Sequence, residues 1–346
     1  SAIDFLNIKG GVFRYRQGTE LFLPENSVLA TERVRFVGDA IVLVIAETIH
    51  QALDAAEMVE IEFEPLASVV HAAAALEADA PPVWDEASDN VCADVEYGDE
   101  AVCNSAFAEA DHVVRIDVVN NRVILNPMEP RGAIGDYDNE TGVYTVYNTS
   151  QIPHRTKTML ADEVFRVAGD KVRVICKDMG GGFGGRGSPY PEYLFVAWCA
   201  KRLGRPIKWI CERSEGFLTD THGRDNVSHA ELALDDEGRF LALRVSTIAN
   251  MGAYPNRLGP MVPVVLGPRV QTTVYTIPVL YSRIRVAYTN TISILPYRGA
   301  GQPEANYLIE RLIEMAALET GIDAIHLRQR NHIPAASMPY RTPLDL

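Results

Sequence analysis

The sequence predicts an α+β protein in which a small α/β unit precedes a larger domain built on a mixed sheet. Residues 34–66 show the order apolar strand, amphipathic helix, apolar strand, which is typical of a compact α/β module. An Ala- and Pro-rich stretch then interrupts the pattern, and longer alternating strands and helices follow it. The predicted first unit, linker and larger domain are residues 1–70, 71–105 and 106–346.

The first unit begins with an apolar strand, VRFVGDAIVLVIAE at residues 34–47. Thr48 is a suitable N-cap for a helix that extends to about Val59, because its hydroxyl can accept a hydrogen bond from the first helical turn. The segment EIEFEPL that follows is predicted to be the second strand. Beyond it, Pro81 and Pro82 and scattered acidic residues indicate an extended linker.

The larger domain combines strands and helices in a way that favours a mixed sheet. Residues 229–254 predict a long antiparallel pair of strands joined by an Asp-Glu-Gly turn. Residues 302–319 predict a helix with Leu308, Ile309, Leu312, Ile313 and Ala316 on one face. The other predicted strands are at 112–121, 143–149, 172–176 and 206–212, and the other helices at 154–168, 189–203 and 323–331.

Composition and charge limit the classes of partner. The 346 residues include 32 basic and 46 acidic side chains, for a formal charge of −14, which argues against nucleic acid as a partner. The sequence contains no apolar run long enough for a membrane span and no secretory leader, which predicts a cytoplasmic protein. Its five cysteines form no Cys-x-x-Cys pair, so reduced thiols are predicted and an iron–sulfur cluster on this chain is not.

A glycine run is the most distinctive motif. The sequence VRVICKDMGGGFGGRG places five glycines within residues 180–185, just after an apolar strand and shortly before a helix. Such a loop allows backbone N–H groups to converge on an anion, because glycine has no Cβ. A strand-to-helix turn that requires positive φ is the simpler interpretation, although five glycines exceed what one turn needs.

A dinucleotide site is one alternative for this run. Gly180, Gly182 and Gly185 match the G-x-G-x-x-G fingerprint, and Glu212 after the next strand could bind a ribose. An NAD-dependent dehydrogenase of this kind requires a parallel sheet ordered around residues 172–176. Three residues separate that strand from Gly180, whereas a Rossmann turn begins almost at the end of the strand. A P-loop is excluded because no Gly-Lys-Ser/Thr follows.

Several segments together resemble a known family. They are GGGFGGRG at 180–187, NPMEPRGAIGDYD at 126–138, NTSQIPH at 148–154, LPYRGAGQPEANYLIERLIEMAALETGID at 295–323 and ERVRFVGDAIVLVIAET at 32–48. In this order they resemble the molybdopterin-binding large subunit of molybdenum hydroxylases, the xanthine dehydrogenase and aldehyde oxidase superfamily. The sequence YRGAG at 297–301 most resembles the corresponding loop of the branch that includes the carbon monoxide dehydrogenase large chain. Residues 32–48 resemble the end of the family's small hammerhead domain.

The resemblance implies a set of cofactor-binding residues. Gln151 matches the glutamine that hydrogen-bonds the oxo ligand of the metal, and Arg298 matches a residue that contacts the pterin. The complete implied set is Gln151, Gly182, Phe183, Gly184, Gly185, Arg298, Gly299 and Ala300, with no direct metal ligand. The implied cofactor is molybdenum-molybdopterin in its cytosine dinucleotide form. The implied partners are a FAD-binding medium subunit and a small subunit with [2Fe–2S] clusters.

The implied reaction hydroxylates or oxidises a small substrate, an aldehyde, an N-heterocycle or carbon monoxide, with water as the oxygen source. Gly299 stands where carbon-monoxide-oxidising members carry a copper-binding cysteine, and Gly187 stands where purine-oxidising members carry an acid. These departures argue against copper and against purines. The catalytic base glutamate is expected beyond Leu346, in a C-terminal half of the subunit, so this chain alone is expected to be inactive. A non-catalytic assembly fragment is a second alternative.

Histidines are poor candidates for metal ligands in this sequence. His154 follows Pro153 and is expected to begin a helix. His222 and His229 lie near Asp220 and Asp225 in the polar run TDTHGRDNVSH, which is predicted to be a loop and the start of a strand.

Overall fold

The computed structural model describes residues 11–15 and 18–344. Residues 1–10 of the predicted first unit lie outside the described residues, as does Leu346. The strands are β1 Gly11–Arg14, β2 Glu20–Leu23, β3 Val91–Tyr97, β4 His112–Asn120, β5 Val123–Ile124, β6 Gly132–Asp138, β7 Val143–Asn148, β8 Val172–Ile175, β9 Ile207–Ile210, β10 His222–Gly223, β11 Asn226–Leu234, β12 Phe240–Asn250 and β13 Val279–Ala287. The α-helices are α1 Ile49–Glu57, α2 Ala72–Ala75, α3 Glu100–Ala108, α4 Pro153–Thr158, α5 Pro191–Leu203, α6 Arg213–Thr219, α7 Gln302–Thr320 and α8 Ala324–Asn331.

A five-stranded mixed sheet forms one half of the larger domain. Its strand order is β3-β13-β12-β11-β4, and only the β12–β13 pair is parallel. The predicted hairpin is confirmed as β11 and β12, and the N–H of Gly238 closes the turn on the carbonyl of Asp235 at 3.0 Å. Helix α7 buries the predicted apolar face, Leu308 to Ala316, against this sheet. This packing gives the loop that precedes α7 a rigid base.

A four-stranded mixed sheet forms the other half, in the order β8-β7-β6-β9. Helix α5 packs on it and buries Tyr193, Leu194 and Val196. Strand β8 is an edge strand with one parallel neighbour, β7, and the remaining pairs are antiparallel. The parallel sheet that a dinucleotide-binding domain requires is therefore absent from the described residues. The predicted helix 154–168 is α4 followed by a π-helical turn, Met159–Phe165.

The first unit differs from the prediction in its strands. Helix α1 begins after Thr48 as expected, and Thr48 and Gln51 form a reciprocal capping box. The segments 34–47 and 60–66, however, contain no assigned strand and expose much of their surface. The predictions of strands there are wrong, because an extended segment becomes a strand only when a neighbour pairs with its backbone. The strand pairing described in this unit is the β1–β2 hairpin.

The stretch 71–105, predicted as a linker, contains regular structure. Helix α2 lies within it, and strand β3 pairs with β13 as an edge of the five-stranded sheet. Helix α3 begins here after Asp99, whose side chain accepts from the N–H of Val102 at 3.0 Å. The correction has a physical cause, since β3 buries only Cys92 and Ala93 and therefore carries a weak alternating pattern.

None of the helices in the described part of the chain is both long enough and apolar enough to cross a membrane.

Candidate functional site

The glycine run forms a loop between β8 and α5, named here the glycine loop and defined as residues 180–187. Three of its residues have a positive φ: Gly181 has φ +109°, Phe183 has φ +50° and Gly184 has φ +113°. Phe183 also leaves 41% of its surface exposed, although aromatic side chains usually contribute to a core. A strained and exposed aromatic residue within a rigid loop is typical of a ligand-binding surface.

The glycines are required because other parts of the protein approach the loop closely. A Cβ on Gly184 would lie 1.8 Å from the carbonyl oxygen of Pro296, and one on Gly182 would lie 2.7 Å from Oε1 of Gln151. A Cβ on Gly180 would lie 2.5 Å from that of Glu129. The missing side chain of Gly184 therefore faces protein. What the loop offers to a ligand is its backbone N–H groups.

Gln151 is fastened to the glycine loop through its carbonyl oxygen. Its Oε1 accepts hydrogen bonds from the N–H groups of Gly184 at 2.9 Å and Arg186 at 3.2 Å. Its own N–H donates to the carbonyl of Arg186 at 3.0 Å. Because both donors face Oε1, the amide is oriented, and its Nε2 group makes no hydrogen bond within the described residues. Gln151 thus presents a fixed donor at an exposed position.

A second loop, residues 297–301, lies beside the glycine loop and is named here the Arg298 loop. The N–H of Arg298 donates to the carbonyl of Phe183 at 2.9 Å. Gly299, Ala300 and Gly301 have φ values of +102°, +43° and +95°, so the backbone turns sharply before α7. The structure thereby brings together Gln151, Gly182 to Gly185 and Arg298 to Ala300, which the sequence placed in three distant segments.

The chemistry of this face is that of hydrogen-bond donors. The N–H groups of Gly181, Gly182, Phe183 and Gly299 make no hydrogen bond within the residues that the structure describes. The guanidinium of Arg298 is exposed and forms no ion pair there. Together with Nε2 of Gln151, these groups suit a ligand that is rich in acceptor atoms and carries negative charge. The phosphate and oxo groups of a molybdopterin cofactor have this character.

A buried arginine supports the glycine loop from below. The Arg131 guanidinium has no exposed surface and forms ion pairs with Glu192, at 2.6 Å, and with Asp220. Burial lowers the pKa of Arg131, but the carboxylates outweigh it and the pKa is raised, so the cation persists at any accessible pH. Its guanidinium also lies over the ring of Tyr190, whose hydroxyl donates to the carbonyl of Gly185 at 2.9 Å.

Several contributors to this site were not predicted from the sequence. Glu129 accepts from the N–H of Gly180 at 2.6 Å, and Arg224 donates to the carbonyl of Arg298 at 3.0 Å. Glu129 and Arg131 lie in a segment that carried the family resemblance, which is a signal that could have singled them out. Arg224 lies in the polar run that was predicted to be a loop, and nothing nearby in sequence indicates its partners.

The histidines and acids of that run form separate pairs. Burial, and then the charge of Arg122, lower the pKa of His222 to about 4, so it is neutral near pH 7. His229 pairs with Asp117 at 2.9 Å on an exposed part of the sheet. Asp225 pairs with Arg122 at 2.8 Å. Within the described ranges, no group of three His, Cys, Asp or Glu side chains is arranged to hold a metal ion.

The position of Glu212 also argues against a dinucleotide site, in which this residue would bind the ribose. This residue is the N-cap of α6, and its backbone N–H donates to Oε2 of Glu215 at 3.4 Å, so it lies at the start of a helix and not at the strand end that the fingerprint requires. In addition, α5 begins at Pro191, six positions after Gly185, whereas the fingerprint requires the third glycine at the start of the helix.

Comparisons with known proteins agree with this geometry. Residues 83–332 match the molybdopterin cofactor-binding domain family, and residues 4–67 match the a/b hammerhead domain of aldehyde oxidase and xanthine dehydrogenase. The chain is 33% identical to the gamma subunit of the 6-hydroxypseudooxynicotine dehydrogenase complex of Paenarthrobacter nicotinovorans, over 92% of this chain and 39% of that protein. It is 32% identical to the carbon monoxide dehydrogenase large chain of Hydrogenophaga pseudoflava, over 91% of this chain and 41% of that protein.

A solved structure is similar over a comparable span. Quinoline 2-oxidoreductase from Pseudomonas putida 86 superposes with a TM-score of 0.90 at 32% identity, covering 99% of this chain and 43% of that one. The chain therefore spans about two fifths of the length of these relatives.

Proposed function

The chain belongs to the molybdopterin cofactor-binding family of aldehyde oxidase and xanthine dehydrogenase proteins, and from this premise we propose that it holds the cofactor of a molybdenum hydroxylase between the glycine loop and the Arg298 loop. The observation that carries the proposal is the set of hydrogen-bond donors that these loops and Gln151 present without a partner in the described residues. The complete enzyme would hydroxylate or oxidise a small substrate with oxygen from water.

When bound, the cofactor would supply the two-electron redox chemistry and the transfer of oxygen. The residues of this chain would bind and orient it. The N–H groups of Gly181 to Phe183 would hold acceptor atoms without any need for reorganisation, because Glu129 and Gln151 already fix the loop at both ends. Nε2 of Gln151 would donate to an oxygen ligand of the metal, and Arg298 would supply positive charge to the pterin side.

The substrate class is proposed from two glycines. Gly299 places no thiolate beside the Arg298 guanidinium, so a copper ion would lack its sulfur ligand, and carbon monoxide is disfavoured as a substrate. Gly187 supplies no carboxylate that could bind the polar edge of a purine. An aldehyde or a less polar N-heterocycle remains, and the names of two relatives, which specify 6-hydroxypseudooxynicotine and quinoline, support this class.

The remaining assignments follow the family. We propose the cytosine dinucleotide form of the cofactor, a FAD-binding subunit and a [2Fe–2S] subunit as partners, and a cytoplasmic location. The base glutamate is assigned to a polypeptide segment outside the described residues. We also propose that the first unit ends near residue 70 and that the larger domain begins before β3, which the family matches at 4–67 and 83–332 support.

The test is to measure the molybdenum and the pterin in the complete enzyme, purified with the polypeptides that accompany this chain. Molybdenum close to one atom per chain is expected, and Arg298→Gln should lower its occupancy. Arg311→Gln is the matched control, since Arg311 is an exposed arginine on α7 without an ion pair in the described residues. Purified enzyme without molybdenum and pterin would refute the proposal, and equal occupancy in the two variants would remove Arg298 from the site.

An assembly module without catalysis is a second candidate. The favouring observation is the exposed apolar surface of the first unit, where Val37, Phe63 and Leu66 each expose more than half of their side chains. Gel filtration of the chain with and without the co-expressed remainder of the subunit separates the two functions. Stable association without bound molybdenum would favour the assembly module.

A further inference from the structure

One arginine outside the predicted site holds the Arg298 loop from beneath. Arg224 lies in the turn between β10 and β11, and its side chain is 11% exposed. Its Nη2 donates to the carbonyl oxygen of Arg298 at 3.0 Å, and its Nη1 donates to Oε1 of Glu304 at 2.9 Å. Its guanidinium also lies 4.9 Å from the centre of the Tyr297 ring.

Through Glu304, the same arginine reaches the other end of the loop. Oε2 of Glu304 accepts from the N–H of Gly301 at 3.1 Å, while its Oε1 accepts from Arg224. Glu304 is also only 11% exposed, so water competes weakly for this ion pair. A single guanidinium thus fixes residues 297 and 298 directly and residue 301 through one carboxylate. The guanidinium of arginine is planar and carries N–H donors that point in two directions, whereas lysine has a single ammonium group.

The backbone at Arg224 is strained, and contacts with neighbouring residues hold it in place. Arg224 and Asp225 have φ values of +65° and +69°, and each left-handed residue other than glycine is strained. The turn is held by Asp225, which pairs with Arg122 at 2.8 Å and whose N–H donates to the carbonyl of Asn120 at 3.1 Å. Neighbouring interactions therefore maintain a strained turn that directs Arg224 at the Arg298 loop.

Both polar groups of the Arg298 backbone are engaged as a result. Its N–H donates to Phe183 of the glycine loop, and its carbonyl accepts from Arg224. We propose that Arg224 is a positioning residue that sets the distance between the two loops, and thereby the orientation of the molybdenum centre. This inference rests on the proposed function, because it concerns how the same site holds its cofactor.

The experiment compares Arg224→Met and Arg224→Lys with the wild type in the complete enzyme. Methionine keeps most of the apolar stem and removes every donor, whereas lysine keeps the charge but cannot serve both acceptors. Arg115→Met is the control for removal of an arginine that pairs with a buried carboxylate, because the more exposed Arg115 pairs with Glu231 at 2.8 Å on the five-stranded sheet, away from both loops. The readouts are molybdenum content, the EPR signal of the partly reduced molybdenum centre, kcat and KM.

We expect Arg224→Met to alter the EPR signal and to lower kcat by about 10- to 100-fold, the scale of an error of about 1 Å in positioning. KM should change less, and Arg224→Lys should recover stability but not the EPR signal. A folded Arg224→Met variant that lacks molybdenum also supports the proposal, provided that Arg115→Met is loaded.

An unchanged EPR signal and kcat in Arg224→Met would overturn the inference, even if its stability fell. If Arg224→Met does not fold, a folded Arg224→Lys variant decides: a wild-type signal and kcat would assign Arg224 to folding alone. Absence of molybdenum from the wild-type enzyme would instead refute the proposed function, so the two failures are distinguishable.

Discussion

Gly184→Ala is the most direct test of why the glycine loop needs glycine. The added Cβ would lie 1.8 Å from the carbonyl oxygen of Pro296, whereas ordinary contacts of this kind are nearly twice as long. Alanine would also have to adopt φ +113°, a conformation that costs a residue with a side chain about 1–3 kcal/mol. The glycine loop and the Arg298 loop would have to separate.

Separation of the loops breaks the hydrogen bond from the N–H of Arg298 to the carbonyl of Phe183, which contributes about 0.5–1.5 kcal/mol. We therefore expect Gly184→Ala to lower the free energy of unfolding of the cofactor-free protein by about 2–4 kcal/mol. Urea denaturation measures this directly.

Gly187→Ala is the control within the same loop. A Cβ on Gly187 would meet its nearest neighbour, Cδ1 of Ile152, at 4.0 Å, and no positive φ is required there. Its stability should lie within about 0.5 kcal/mol of the wild type. Equal stability of the two variants would refute the reasoning, and loss of cofactor from a fully stable Gly184→Ala protein would assign the glycine to cofactor contact instead.

Three further predictions follow from buried charge and from the missing thiolate. Arg131→Met leaves Glu192 and Asp220 without their partner, so it should cost about 3–5 kcal/mol in urea denaturation, and a loss below about 1 kcal/mol would contradict this. His222 has a folded pKa of about 4 against an ordinary 6.5, so the unfolded chain binds its proton first. The stability that neutral His222 contributes is present above pH 6.5 and is lost as the pH falls toward 4; His222→Gln should flatten this dependence, and an unchanged slope would disprove the assignment. Because Gly299 offers no sulfur, copper added after cyanide treatment should not restore any activity of the complete enzyme, and restoration would show that another group binds copper.

The sequence was most informative where the signal is local. Helix α7 occupies Gln302–Thr320, within one residue of the prediction, because its apolar face repeats with the helical period over five turns. The β11–β12 hairpin was equally predictable, since an Asp-Glu-Gly turn fixes which strands pair. For the site, the glycine loop was identifiable from composition alone, but its neighbours Gln151 and Arg298 were accessible only through the family resemblance.

The sequence could not predict which distant segments pair with each other. Residues 34–47 have a strand-like composition but no described partner, and strand formation depends on that partner. Strand β3 was also missed, because its own pattern is weak and its partner β13, nearly two hundred positions later, supplies its hydrogen bonds. Arg224 likewise depends on Glu304, and the polar sequence around it is indistinguishable from that of a solvated loop.

The bond between Arg298 and Phe183 also determines when the site can exist during folding. The glycine loop follows β8 of the four-stranded sheet and the Arg298 loop follows the last strand of the five-stranded sheet, so the contact closes a chain segment of about a hundred residues. Contacts across such separations form late, after the local hairpins and helices. Neither sheet can prepare the donor face by itself. A ligand that binds between the two loops therefore binds only those molecules in which both sheets have docked. Retention of the ligand would then report that the chain has folded completely.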